Sequence, residues 1–101
     1  MKKIALIVPV YNEEESVFDF YHQVNDKLIP ICKNDVNIEI VFVNDGSKDQ
    51  TLRKLKELHS MSDNISIINL SRNFGKENAL FAGLDQVDAD AVIPIDVDLQ
   101  D

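Results

Sequence analysis

The stretch Ile4-Ala5-Leu6-Ile7-Val8-Pro9-Val10 runs directly into Tyr11-Asn12-Glu13-Glu14-Glu15, and this switch from apolar to polar decides the fold. It recurs at Ile38–Val43 before Asn44-Asp45-Gly46-Ser47, at Ile65–Leu70 before Ser71-Arg72-Asn73, and at Ala91–Ile95 before Asp96-Val97-Asp98. The runs are rich in Ile and Val and nearly continuous rather than alternating, as expected of strands buried on both faces of a parallel sheet. Helical spacing fills the gaps between them. Val17, Tyr21, Val24, Leu28 and Ile31 fall at steps of three or four, with Pro30 expected to end that helix near Ile29. Ser47, three residues before Gln50, predicts a capping box for a second helix carrying Leu52, Leu55, Leu58 and Met61. A third helix is expected from Lys76 to Val87, with Leu80, Leu84 and Val87 turned inward and Ala79, Ala82 and Gly83 permitting close approach to the sheet.

Strands alternating with single helices predict an α/β fold, a Rossmann-like parallel sheet with right-handed crossovers and helices on both faces. In such a sheet ligands bind beyond the carboxyl ends of the strands, near the reversal in strand order. The four polar clusters should therefore meet on one rim.

A chain of 101 residues has room for one small domain. Eighteen acidic against ten basic residues give a net charge of −8, which argues against nucleic acid or an anionic lipid surface as a partner. A phosphate-bearing ligand would need a bridging cation, because a carboxylate and a phosphate charge about 4 Å apart repel by roughly 4 kcal/mol at an effective dielectric of about 20. The single Cys32 has no partner for a disulfide or a metal-binding spacing and reads as a small apolar residue. Met1-Lys2-Lys3 and the apolar residues after it resemble a signal peptide only as far as Pro9 and the acidic run Glu13–Glu15. No run approaches the roughly 20 apolar residues of a transmembrane helix. Neither a signal peptide nor a membrane span is expected in this chain.

The clusters differ in what they offer. On an extended segment Asp96, Asp98 and Gln100 would point the same way, giving three oxygen ligands suited to Mg²⁺ or Mn²⁺ with positions left for phosphate. Asp88-Ala89-Asp90, an equally acidic triplet, reads as a solvated turn before the fourth strand. Asp45 at a strand's carboxyl end could accept hydrogen bonds from a base or a ribose, whereas Gly46 and Ser47 read as a turn and helix cap. Pro9 and Tyr11 could wall a flat pocket for a nucleobase, while Glu13, Glu14 and Glu15 suit a helix start. Arg72 or Lys76, before the third helix, could meet a diphosphate, although Gly75-Lys76-Glu77 is not a Walker A loop. His22 and His59 lack ligand spacing and read as structural or solvated.

Taken in order, Val8-Pro9-Val10-Tyr11-Asn12-Glu13, Val43-Asn44-Asp45-Gly46-Ser47, Ser71-Arg72-Asn73-Phe74-Gly75-Lys76 and Asp96-Val97-Asp98-Leu99-Gln100-Asp101 resemble the amino-terminal part of a family 2 glycosyltransferase of the GT-A fold. The third and fourth motifs are similar to the branch holding dolichyl-phosphate mannosyltransferases and bactoprenol (undecaprenyl-phosphate) glucosyltransferases. The resemblance implies a nucleotide site of Pro9, Tyr11, Glu13, Asp45, Arg72, Lys76 and Val97, and a Mg²⁺ or Mn²⁺ site of Asp96, Asp98 and Gln100. Two departures are Asn44, where the family more often has aspartate, and Val97, where it usually has a smaller residue.

It further implies an inverting hexosyltransferase that moves glucose or mannose from a UDP- or GDP-sugar to a polyprenyl phosphate at the cytoplasmic side of a membrane. Residues 1–101 would be a single sugar-nucleotide-binding half-domain truncated at its carboxyl end, inactive alone, with the catalytic base beyond Asp101. The competing expectation is a non-catalytic nucleotide- or Mg²⁺-binding α/β module of receiver-like kind, although the chain lacks a convincing phosphoacceptor arrangement. An open edge on the fourth strand would also allow a homo-oligomer.

Overall fold

A computed structural model describes residues 2–28, 30 and 36–98. The elements run β1 (Lys2–Val10), α1 (Val17–Gln23), a π-helical turn (Val24–Leu28), β2 (Val36–Asn44), α2 (Thr51–Met61), β3 (Ile65–Asn69), α3 (Lys76–Gln86) and β4 (Ala91–Pro94). All strand pairs are parallel, in the order β3-β2-β1-β4. The first two crossovers step outward from β1 to β2 to β3. The third returns across the sheet to set β4 on the other side of β1, so strand order reverses between β1 and β4.

Side chains alternate across each central strand and supply two cores. Leu6, Val8 and Val10 of β1 with Ile38, Ile40 and Phe42 of β2 meet Val17, Phe20, Tyr21 and Val24, together with Leu55 and Leu58 of α2. Phe20 and Phe42 meet edge to face with ring centroids 5.8 Å apart. On the opposite face Ala5, Ile7, Val41 and Val43 meet Ala79 of α3. Helices thus cover both faces, as the sequence predicts. Full burial of each large side chain contributes roughly 1.5–3 kcal/mol, which puts most of the stabilisation in β1 and β2.

Several expectations change in detail. Regular α-helix ends at Gln23 and the chain continues as a π-helical turn to Leu28; Ile29 and Ile31 lie outside the described residues. The apolar run of β4 does not make a strand buried on both faces, for Ala91, Ile93 and Pro94 are exposed. A sheet edge has one strand neighbour, and hydropathy does not distinguish it from a centre. On α2, Leu55 and Leu58 are buried but Met61 is exposed at the last turn. On α3 Ala79 and Gly83 are buried, and Leu80 and, just past the helix, Val87 pack half-buried against the same core as expected, whereas Leu84 is exposed. Small side chains let this helix lie low on β1 and β2, and one consequence is measurable. A Cβ at Gly83 would stand 2.6 Å from Ile7 Cγ2 and 3.0 Å from Val43 Cγ2. Gly83→Ala should lower the urea unfolding midpoint, by about 1–2 kcal/mol of stability after the gain in helix propensity, because branched core residues must shift.

Asp88-Ala89-Asp90 is more than a solvated turn. Asp90 Oδ2 accepts the Lys3 N–H at 2.7 Å and the Asp90 N–H donates to the Lys3 carbonyl at 2.9 Å, which pins the start of β4 to β1.

Candidate functional site

In a parallel strand the N–H and C=O of one residue face the same neighbour, and successive residues alternate. Val10 O accepts from Asp45 N in the chain following β2, and Ile7 O accepts from Ile95 N in the chain following β4. Pro9 therefore turns its missing donor toward the β4 side, where pairing has already ended at Ile7 and Pro94. A cleft opens at this divergence. It has a volume of about 260 Å³, an apolar wall of Pro9, Val10, Tyr11 and Val97, and a polar rim of Glu13, Asp45, Asn73, Lys76, Asp96 and Asp98. All four strand-end clusters contribute to it.

Asp45 is buried, and its carboxylate is met by the loop before α3. Oδ1 accepts the Phe74 N–H at 2.8 Å; Oδ2 accepts the Gly75 N–H at 3.1 Å and the Asn73 amide at 3.3 Å. A carboxylate is favoured beside the unpaired N–H groups of a helix start. Gly46 makes the approach of the two loops possible: its φ is +72°, and a Cβ there would fall 2.4 Å from Arg72 C and Asn73 N. Gly46 is thus a packing requirement as well as a turn residue. Asn44 is buried with it, its amide donating to Asn69 Oδ1 at 2.8 Å while its own oxygen accepts the Ser47 N–H at 3.3 Å. An amide at position 44 thus has both a donor role and an acceptor role.

The capping box at Ser47 does not form. Helix α2 starts at Thr51, and the Ser47 hydroxyl instead accepts the Asn12 N–H at 2.9 Å. The N-cap is Gln50, which makes no side-chain cap bond, and Asp49 just before it accepts the Thr51 N–H at 2.9 Å and the Thr51 hydroxyl, while Thr51 Oγ1 accepts the Glu13 N–H at 2.8 Å. Asn12, at φ 52°, also accepts the Lys48 N–H at 2.8 Å. These bonds lock the exit of β1 to the exit of β2. Asp49 was not among the candidate residues; its signal was an Asp just ahead of the periodic Leu52, closer than Ser47. Asn73, a cleft residue that also reaches Asp45, had no sequence signal beyond its place in the third cluster.

On the last cluster the chain turns at Val97 and Asp98 rather than remaining extended. Val97 is buried in the core below the cleft, and Asp96 and Asp98 are exposed on its rim. Gln100 lies outside the described residues. Lys76 Nζ forms an ion pair with Asp96 Oδ1. The hydrogen bond to Asp96 raises the lysine pKa against a desolvation that would lower it, and the charges of Asp96, Asp98 and Glu13 add to the rise. Arg72 is not brought into the cleft; its guanidinium lies 4.8 Å from the centroid of the exposed Phe74 ring.

Among the described residues no group of three or more His, Cys, Asp and Glu converges as a ready metal-ligand set. Two carboxylates on a rim nevertheless suit Mg²⁺ or Mn²⁺, which bind through one or two carboxylates and complete their shell with water and substrate phosphate. The donor chemistry therefore fits a cation shared with a ligand better than a permanently caged one.

The profile of the glycosyl transferase family 2 matches residues 5–101. The chain belongs to this family. It is 53% identical over 102 residues to the bactoprenol glucosyl transferase of Shigella phage SfV, covering 98% of this chain and 31% of that protein. It is 39% identical over 102 residues to the undecaprenyl-phosphate 4-deoxy-4-formamido-L-arabinose transferase of Proteus mirabilis, covering 99% and 30% respectively. Among solved structures, S. aureus TarS 1–349 in complex with UDP-GlcNAc superposes with a TM-score of 0.78 at 27% identity, over 95% of this chain and 26% of that one. The mannosyltransferase PcManGT from Pyrobaculum calidifontis, in complex with GDP-Man and Mn²⁺, shares the fold with a TM-score of 0.79 at 23% identity over 94% and 27%. The chain spans about 30% of the length of the curated relatives it matches. With this family and its GT-A neighbours the receiver-like alternative falls away. No helix among the described residues is long and apolar enough to cross a membrane.

Two tests concern the anchors of the rim. Asp45→Asn sets an amide donor against the Phe74 or Gly75 N–H; it should cost about 1–3 kcal/mol and speed amide hydrogen exchange at residues 74 and 75. Burial disfavours the charged form of Asp49, but hydrogen bonds from the Thr51 hydroxyl, Thr51 N–H and Glu14 hold its pKa below the ordinary value. A depressed carboxyl pKa contributes stability that is complete above the unfolded value of about 4 and is lost as pH falls through the folded one. Asp49→Ala should cost about 1–2 kcal/mol at neutral pH, with the gap to the unaltered protein narrowing below about pH 4 in urea titrations.

Proposed function

We propose that the cleft binds the nucleotide and diphosphate of a sugar donor, with Asp96 and Asp98 sharing a Mg²⁺ or Mn²⁺ ion with the diphosphate and Gln100 joining them. The observation that carries this reading is the lining of a single cleft by four carboxylates, Glu13, Asp45, Asp96 and Asp98, beneath one ammonium, Lys76. A diphosphate entering such a rim needs a cation to offset the repulsion. The apolar wall of Pro9, Tyr11 and Val97 offers a flat surface to the base, and Glu13 and Asp45 offer acceptors to the nucleoside. Oδ1 of Asp45 can accept a further bond beside the Phe74 N–H, whereas Oδ2 already accepts two. Arg72, stacked on Phe74, is left out of this donor site.

The relatives named as bactoprenol and undecaprenyl-phosphate transferases support a polyprenyl phosphate as the acceptor of the whole protein. The glucosyl transferase name supports glucose as the sugar, and this reading keeps mannose beside it. In this reading a phosphate oxygen of the lipid attacks the anomeric carbon and forms the new C–O bond. The bond to the nucleoside diphosphate breaks on the opposite face, and configuration inverts. A bound cation supplies Lewis acidity to the departing diphosphate. The chain's own residues position the donor, and the acceptor side and any base come from residues outside this chain. In this reading the enzyme works at the cytoplasmic face of a membrane, and the 101-residue chain alone transfers little sugar.

Calorimetry should find UDP or GDP binding with Mn²⁺ or Mg²⁺ and at least tenfold weaker binding (about 1.4 kcal/mol) with chelator or in Asp98→Ala. Equal affinity with and without the metal would sink the assignment of Asp96 and Asp98.

A further inference from the structure

Lys76 occupies an unusual position for a candidate phosphate contact. Its ammonium sits on Asp96, one of the two carboxylates assigned above to the cation. Its backbone has little freedom, since Lys76 is the first residue of α3 and the preceding Phe74 and Gly75 N–H groups are both held by Asp45. The side chain therefore swings from a fixed point. The ion pair itself is loose: the two side chains are 67% and 48% exposed, and a pair so open to water is broken at little cost. Lys76 is also the one basic side chain among the described residues that line the cleft.

We propose that Lys76 is a resident counter-cation which occupies Asp96 while the cleft is empty and transfers to a phosphate oxygen when a divalent cation and a nucleoside diphosphate bind together. The inference rests on the reading of Asp96 and Asp98 as cation ligands. Its physical basis is charge balance. With the cleft empty, Lys76 sits on Asp96 at the rim it shares with Glu13 and Asp98 and offsets part of the repulsion among these carboxylates. A divalent ion alone must compete with the lysine for Asp96. A divalent ion arriving with a diphosphate leaves the lysine a new anionic partner, and a charge-assisted bond to phosphate replaces the one lost. Lys76 thereby makes cation and nucleotide binding mutually reinforcing, and the coupling must be equal in both directions.

The test is Mn²⁺ binding followed by electron paramagnetic resonance, with and without UDP or GDP, on the protein and on Lys76→Met and Lys76→Arg. In Lys76→Met, Mn²⁺ alone should bind about two- to fivefold tighter, the scale of an exposed ion pair, with the gain shrinking as salt is raised. At saturating Mn²⁺ the same variant should bind the nucleoside diphosphate about tenfold more weakly, as expected for one lost charge-assisted bond. Lys76→Arg should keep most of the coupling. Two effects of opposite sign at one exposed side chain are not expected of a residue that only supports the fold. Unchanged or weaker Mn²⁺ binding in Lys76→Met, with nucleotide binding still metal-dependent, overturns the role of Lys76 and leaves the metal site standing. Absence of Mn²⁺ binding in every form, with and without nucleotide, overturns both.

Discussion

A carboxylate buried at the end of a central strand must be met by donors, and the way Asp45 is met sets the geometry of the whole rim. Its oxygens hold the Phe74 and Gly75 N–H groups, which fixes where α3 begins. The start of α3 fixes the root of Lys76, and Lys76 reaches the strand-end carboxylate Asp96. One buried anion thus links the exits of β2, β3 and β4. Gly46 is the enabling residue, because any side chain there would collide with the backbone at Arg72 and Asn73.

The place for a ligand comes from topology. With strand order β3-β2-β1-β4, the carboxyl ends of β1 and β4 part where the crossovers change direction. Pro9 suits the gap, since a residue there has no strand partner for an N–H. Val97 serves both levels, buried in the core below and lining the cleft above. The cleft is consequently apolar at its wall and acidic at its rim, an arrangement that accepts a flat base readily and a diphosphate only with a counter-charge. That electrostatic condition is what the proposed metal-dependent donor site rests on.

A second network stiffens the other side of the rim. Asn12 and Glu13 after β1 bond to Ser47, Lys48 and Thr51 after β2, with Asp49 as the shared acceptor at the start of α2. Glu13 lines the cleft, so its position depends on the hydroxyl of Thr51. The two networks work alike: polar side chains at strand exits satisfy the backbone of the neighbouring loop.

The sequence by itself determined the β-α-β alternation, the three helices and four strands, the parallel sheet with both faces covered and the rim on which four clusters meet. These follow from apolar periodicity and from the limited ways such units connect, both of which are local or chiral rules. Tertiary structure alone decided which strands are central, so that Val41 is buried while Ile93 is exposed in an equally apolar run. It also decided that Leu84 stays exposed while Ala79 and Gly83, legible in the sequence as small residues suited to close approach, are buried against the sheet, because contact distance rather than hydropathy governs a helix lying low over branched residues. Caps and ion pairs were the least legible features. Asp49 rather than Ser47 took the first N–H of α2, and Lys76 settled on Asp96, because each is a competition among acceptors brought together from distant parts of the chain.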